Sequence, residues 1–273
     1  MTSETGSTDA GLNATGGYAG VNGLRMYHES RGSGRPLVLV HGGFGSTAMF
    51  DHLAPALARK RRVVALDLQA HGRTADIDRD ADAAALGDDI AALVEALDLG
   101  PVDLLGYSLG GLAAQQAAYR HPEAVRSLIV VSSPFKREGW YPEVREGMNQ
   151  VGEAAAAGMA GTPMHRHYQA VAPRPDDFPR LAARVGRLVR AEYDWTEQVR
   201  ALQVPALLVF ADGDSISPAH AAEFFALLGG GQRDAGWDGS GQPRSALAIL
   251  PRASHYNILH SPLLSGAIEA FLA

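Results

Sequence analysis

The sequence contains no cysteine in its 273 residues, which excludes disulfides, thiolate metal sites and a cysteine nucleophile. No apolar run reaches the ~20 residues that a membrane-spanning helix needs. Positive charge is not in excess: 24 Lys and Arg against 30 Asp and Glu give a formal net charge of -6, and an acidic balance disfavours nucleic acid as a partner. The densest basic cluster, Arg59, Lys60, Arg61 and Arg62, reads as a solvated helix end. Met1 to Gly20 is rich in Thr, Ser and Gly and has no apolar segment of the secretory kind. Residues 1–16 offer little to bury and are expected to form a poorly ordered tail. A cytoplasmic location is the expectation, and no pattern suggests a metal or an organic cofactor.

Short apolar runs then alternate with helical ones. Leu24 to Ser30 suits an early hairpin strand. Pro36 to Val40, Arg62 to Leu68, Val102 to Leu105, Ser127 to Val131, Ala206 to Phe210 and Leu247 to Leu250 are apolar almost throughout, as parallel strands buried on both faces should be. Helical patterns fall at Ala48 to Lys60, Ala83 to Leu97, Leu109 to Arg120 and Ala219 to Leu228, with a last helix opened by Ser261 and Pro262. This alternation predicts an α/β fold, a parallel sheet with helices on both faces. Phe135 to Leu202 holds no strand-like run and reads as a helical insertion over one end of the sheet. Gly229 to Arg244 reads as a glycine-rich loop.

Val102 to Leu105 leads into Gly106-Tyr107-Ser108-Leu109-Gly110-Gly111, and a helix follows. This is G-x-S-x-G in the strand–turn–helix setting that gives it meaning: the sharp turn presents the Ser108 hydroxyl at the carboxyl end of the sheet, and the flanking glycines leave room for the chain. A serine hydroxyl needs a base. Asp214 follows the run Ala206 to Phe210, and His255 follows Leu247 to Leu250, so both fall at strand ends, where open α/β sheets bind ligands. The expected assignment is Ser108 as nucleophile, His255 as base and Asp214 as its orienting acid. Asp212, the competing acid, becomes a loop-stabilising carboxylate. An oxyanion needs two backbone donors; these are expected to be the N–H groups of Leu109 and of Gly43, with Phe44 as the alternative to Gly43. His41 and His71 read as structural residues or supports beside the site, and His165 and His167 as solvent-exposed.

HGGFGS (41–46), DLQAHGRT (67–74), GYSLGG (106–111), ADGDSISP (211–218) and PRASHYN (251–257) resemble, in order, the landmarks of the α/β-hydrolase family, from Tyr18 to Ala273. The resemblance implies a mostly parallel eight-stranded sheet with an antiparallel edge strand, flanked by helices. It implies a core of residues 17–134 and 203–273, with a helical cap of residues 135–202 inserted after the sixth strand. It also implies a serine hydrolase that cleaves a small-molecule carboxylic ester or lactone through an acyl-enzyme. Dehalogenases and epoxide hydrolases of the family use an Asp nucleophile, whereas position 108 is Ser. The chain has HGGF where hormone-sensitive-lipase-like members have HGGG, and Ala211 where many members have Gly. Cofactor-free haloperoxidase or perhydrolase chemistry, acyl transfer and C–C hydrolysis remain open on the same three residues. Non-catalytic members typically lose one of the three, and this chain keeps them all. Trp140, Tyr141, Met148, Met159, Met164, Tyr168, Tyr193 and Trp195 are the aromatic and Met candidates for a pocket wall. The oligomeric state is not legible.

Overall fold

Residues 13–273 are described by a computed structural model; positions 1–12 of the expected tail lie outside the described residues. In chain order the elements are β1 (Thr15–Val21), β2 (Leu24–Arg31), β3 (Pro36–Val40), α1 (Ala54–Ala58), β4 (Arg62–Leu66), α2 (Ala83–Ala96), β5 (Val102–Tyr107), α3 (Leu109–Arg120) and β6 (Val125–Val131). They continue with α4 (Pro142–Asn149), α5 (Pro163–Val171), α6 (Phe178–Arg190), α7 (Thr196–Ala201), β7 (Ala206–Gly213), α8 (Pro218–Leu227), β8 (Ala246–Ser254) and α9 (Pro262–Phe271). The strands form one sheet in the order β1-β2-β4-β3-β5-β6-β7-β8. β2 pairs antiparallel with both β1 and β4, while β3 to β8 pair in parallel. The one reversed strand is therefore β2, second from the edge, and not the edge strand itself. β1 opens inside the expected tail: Thr15 and Gly16 pair with Ser30 and Glu29.

The continuous apolar runs fill two cores, because successive side chains of a strand face opposite ways. Val38, Val40, Val64, Leu66 and Leu104 point to one face, against Leu86, Ile90 and Leu93 of α2 and Ala113 and Ala117 of α3. Leu37, Leu39, Val63, Ala65 and Leu105 point to the other, against Leu57 of α1 and Leu264 and Ile268 of α9. The single helix expected over residues 48–60 is broken. Thr47–Phe50 is a 3-10 turn capped by Ser46, and α1 begins only at Ala54 with Pro55 in its first turn, since Pro55 has no N–H to continue an earlier helix. The neighbouring basic cluster is not wholly solvated: Arg61 reaches Asp103 (3.1 Å) and the Leu272 carbonyl (2.6 Å).

Between β6 and β7 the chain forms α4 to α7 and three 3-10 turns; its only sheet-like pairings among the described residues are the isolated bridges Lys136–Asp194 and Trp140–Ile216. α6 shows why it is a helix: Phe178, Leu181, Ala182, Val185 and Leu188 are buried on one stripe, while Arg180, Arg187 and Arg190 face outwards. β3 sits between β4 and β5, so the strand order reverses there. The crevice at such a switch point, outside the carboxyl ends of the strands, is where open α/β sheets take ligands. The loop after β3 and the turn after β5 lie side by side at that place, as Val40 pairs with Gly106.

Candidate active site

Ser108 follows β5 directly and has φ 54° and ψ -119°, a sparsely populated conformation for a residue with a side chain. Packing imposes it. A Cβ on Gly106 would stand 2.3 Å from the Gly110 carbonyl oxygen, and one on Gly110 would stand 2.3 Å from that of His41. Only glycine at both positions lets α3 leave the strand so steeply and pass so close to the end of β3. The Ser108 N–H donates to the Val131 carbonyl (3.0 Å), which ties the turn to the end of β6.

Three residues from distant parts of the sequence meet here. Ser108 Oγ lies 3.0 Å from His255 Nε2, and His255 Nδ1 lies 3.1 Å from Asp214 Oδ1. The carboxylate accepts from Nδ1–H, leaving Nε2 free to accept the serine proton. Asp214 and His255 are each 8% exposed. Asp214 is further held by the N–H of Ser215 (2.8 Å) and of Ala211 (2.9 Å) and by the hydroxyl of Ser132 (2.5 Å). Asp212 acts elsewhere. It accepts the Arg252 and Ala253 N–H groups at 2.9 and 3.1 Å, bracing the irregular register between β7 and β8 that sets His255. Those backbone donors hold its carboxyl below the usual range. The imidazole of His255 lies between the rings of Tyr107 and Trp140, at centroid distances of 5.5 and 5.4 Å, and the Tyr107 hydroxyl donates to the His255 carbonyl (2.6 Å).

The orientation of two peptide units bears on the donors expected for an oxyanion. The Gly42 carbonyl accepts from His41 Nδ1–H (2.7 Å) and from the Gly45 N–H (3.1 Å). The described peptides are all trans, so the Gly43 N–H on the same unit points the opposite way. Likewise the Ser108 carbonyl accepts from Gly111 and Leu112, which turns the Leu109 N–H away from the helix. Gly43, Leu109 and Ser108 border one cavity. Phe44, the alternative donor, is held at φ 58° with its ring against Phe178 of α6, 5.9 Å between centroids. His41 accepts the Leu68 N–H at Nε2 (3.1 Å), which fixes its proton on Nδ1. Burial, reinforced by neighbouring His71, pushes His41 down to about 3, and burial pushes His71 down to about 4, so both support the loop as uncharged rings.

The cavity over Ser108 measures about 630 Å³. The loop after β3 supplies Phe44 to its wall, and the segment between β6 and β7 supplies Trp140, Val144, Met148, Met164, Val185 and Tyr193. Of the aromatic and Met candidates from the sequence, Trp140, Met148, Met164 and Tyr193 line it. Tyr168 is instead buried against Phe178, Trp195 packs against Tyr119 and Tyr193, Met159 packs against the core, and Tyr141 lies outside the lining. His165 and His167 are half-buried, correcting the expectation of exposure: His165 stacks edge-on against Phe178, and His167 Nε2 lies 2.7 Å from Ser46 Oγ. Sequence reasoning passes over Ser132. Its signal is a Ser-Ser pair immediately past the apolar run of β6, at the same sheet edge as Ser108 and Asp214.

The chain belongs to the α/β-hydrolase family: the profile described as alpha/beta hydrolase fold matches residues 35–235. A pimeloyl-[acyl-carrier protein] methyl ester esterase of Neisseria meningitidis serogroup B is 32% identical over 259 residues, covering 88% of this chain and 90% of the relative. Among solved structures, a serine hydrolase involved in carbazole degradation superposes with a TM-score of 0.71 at 25% identity, covering 95% of this chain and 99% of the other. The enol-lactonase of Burkholderia xenovorans LB400 superposes with a TM-score of 0.68 at 20% identity, covering 93% and 99%.

Proposed function

We propose that this protein hydrolyses a small-molecule carboxylic ester through an acyl-enzyme on Ser108. The observation that carries the reading is the continuous relay from Ser108 Oγ to His255 to Asp214 at 3.0 and 3.1 Å, beside a cavity bordered by two outward-turned backbone N–H groups. His255 takes the hydroxyl proton as Ser108 attacks the ester carbonyl. The Leu109 and Gly43 N–H groups receive the oxyanion, and Asp214 fixes the tautomer and stabilises the imidazolium. His255 then returns the proton to the leaving alcohol, and water repeats the sequence to free the acid. Residues 135–202 act as the cap over the 17–134 and 203–273 core and set the acyl pocket. The named substrate of the Neisseria relative, a methyl ester, makes esters of small alcohols the first compounds to try. A lactone is an internal ester and falls within the same chemistry. A cytoplasmic location suits the cysteine-free chain.

The test is hydrolysis of p-nitrophenyl esters of increasing acyl length, and of several lactones, by wild type and by Ser108→Ala. The expected result is turnover that falls at least ~10⁴-fold in the variant, with phosphonylation by a fluorophosphonate confined to Ser108. A folded wild type with no turnover of any ester and no labelling at Ser108 would overturn the reading.

A further inference from the structure

Resting on that reading, we infer that the acyl pocket selects by charge: it takes an uncharged, apolar acyl chain and rejects one that ends in a carboxylate. The wall is the reason. Among the described residues no Lys or Arg lines the cavity, and the one carboxylate that does is Glu143, an exposed residue in the first turn of α4 that stands at the mouth. The wall offers a carboxylate neutral donors only. The Tyr107 hydroxyl already donates to the His255 carbonyl, and Tyr193, whose oxygen accepts the Trp140 Nε1–H (3.1 Å), brings an uncharged O–H that cannot balance a full negative charge. A carboxylate carried into this space would lose its water, gain no cation, and pass a fixed negative charge on a protein of net charge -6. Burying an uncompensated charge is among the most costly changes a site can impose, whereas each buried methylene favours binding by about fourfold.

The consequence reaches the product. Every ester cleavage here creates a carboxylate, and that end can no longer be carried into the acyl pocket. A symmetric diester of a dicarboxylic acid is therefore cut once. Water and a dimethyl ester give methanol and a half-ester, and the half-ester cannot return with its carboxylate in the pocket and its remaining ester at Ser108.

Dimethyl suberate and monomethyl suberate test this, offered separately at pH 7 with methanol release followed. Both are also tested as competitors of Ser108 phosphonylation by a fluorophosphonate. The expected result is at least ~100-fold higher kcat/KM for the diester, accumulation of monomethyl suberate, and protection of Ser108 by the diester at concentrations where the half-ester gives none. Replacing the mouth charge should narrow the ratio, by about fivefold in Glu143→Lys and less in Glu143→Gln. An unchanged ratio in both variants removes Glu143 from the account. Cleavage of the two compounds within threefold of each other, or equal protection, overturns charge selection while leaving the ester-hydrolase reading intact. If neither compound is cleaved and Ser108 resists the fluorophosphonate, that reading fails and this inference fails with it.

Discussion

The carboxyl edge of the sheet and the helical segment between β6 and β7 both border the cavity, and they are built on opposite principles. At the edge a methyl group on Gly106 or Gly110 would strike backbone at 2.3 Å; in the helical segment Gly186 is as tight against the Val151 carbonyl, but one on Gly147 or Gly158 would meet nothing within 4 Å. Polar groups at the edge are held several times over, as with Asp214 and its four donors. The helical wall presents Val144, Met148, Val185 and Val189, which carry no polar group and can repack. One region fixes atoms, as bond chemistry requires. The other fixes only volume and polarity, as the proposed binding of an acyl chain requires. Substitutions at the edge should therefore lower kcat, and substitutions in the helical wall should change KM.

The largest effect expected of a near-isosteric change is at Asp214. Asp214→Asn keeps the shape but offers His255 a donor, favouring the tautomer with its proton on Nε2. kcat should fall by about 10⁴-fold with KM little changed. Stopped-flow acylation with a p-nitrophenyl ester measures it. A loss below tenfold would mean that the edge is less committed to a single tautomer than its hydrogen bonds imply.

Acid should loosen the edge next. His41 and His71, with folded-state values pushed to about 3 and about 4 by burial, titrate near 6.5 when unfolded. Their depressed values mean that stability is complete above about pH 6.5. It is then lost as pH falls through the window towards 4, at up to about 1.4 kcal/mol per pH unit for each ring. His220, pushed down to about 4, adds in the same sense. Asp67, raised to about 6 by burial, takes up a proton in the folded state first and offsets one histidine. Calorimetric Tm between pH 7.5 and 4.5 should fall, and His71→Asn should make the fall shallower. An unchanged slope in that variant would remove His71 from the account.

The contrast also explains what the sequence could and could not disclose. Strand ends are marked by a change from apolar runs to Gly, Ser, Asp and His, so Ser108, Asp214, His255 and the loop at Gly43 announce themselves as positions. Close backbone approach leaves glycine as the one residue that fits, and a forced residue is a legible residue. The helical wall has no such mark. Val144 and Val185 read as ordinary apolar helix positions, and nothing local separates Met148, which lines the cavity, from Met159, which packs on the core. The break in the helix expected over residues 48–60 escaped because Pro55 can sit in a first turn as readily as it can stop a helix. The true start of β1 escaped because Thr15 and Gly16 pair through backbone alone.

A middle-sized effect should come from the sheet edge, where Gly110→Ala forces a Cβ against the His41 carbonyl and should cost about 1–3 kcal/mol of stability. A urea melt measures it, and a loss within about 0.5 kcal/mol would mean that the edge can give. Ser132 gives a subtler case. It is fully buried and held at φ 50°, a conformation that glycine would adopt with less strain, yet its hydroxyl donates to Asp214. Ser132→Ala and Ser132→Gly should each lower kcat by about tenfold, the worth of one hydrogen bond to a charged group. Equal losses in the two variants would assign the effect to the hydroxyl. Recovery in the glycine variant would assign it to backbone strain.

The smallest effect comes from the other region and has the opposite sign. Gly147 lies inside α4 at a negative φ, with open space where a Cβ would go, so Gly147→Ala should raise stability by about 0.5–1 kcal/mol through the backbone entropy that glycine loses on folding. Gly147 also borders the cavity. The added methyl group narrows the pocket, and the penalty should appear in KM for the longest acyl chains while kcat for short esters stays as it was. A fall in kcat for short esters would show that α4 is coupled to the positions of the reacting groups, and the division between an edge that fixes atoms and a wall that fixes volume would no longer hold.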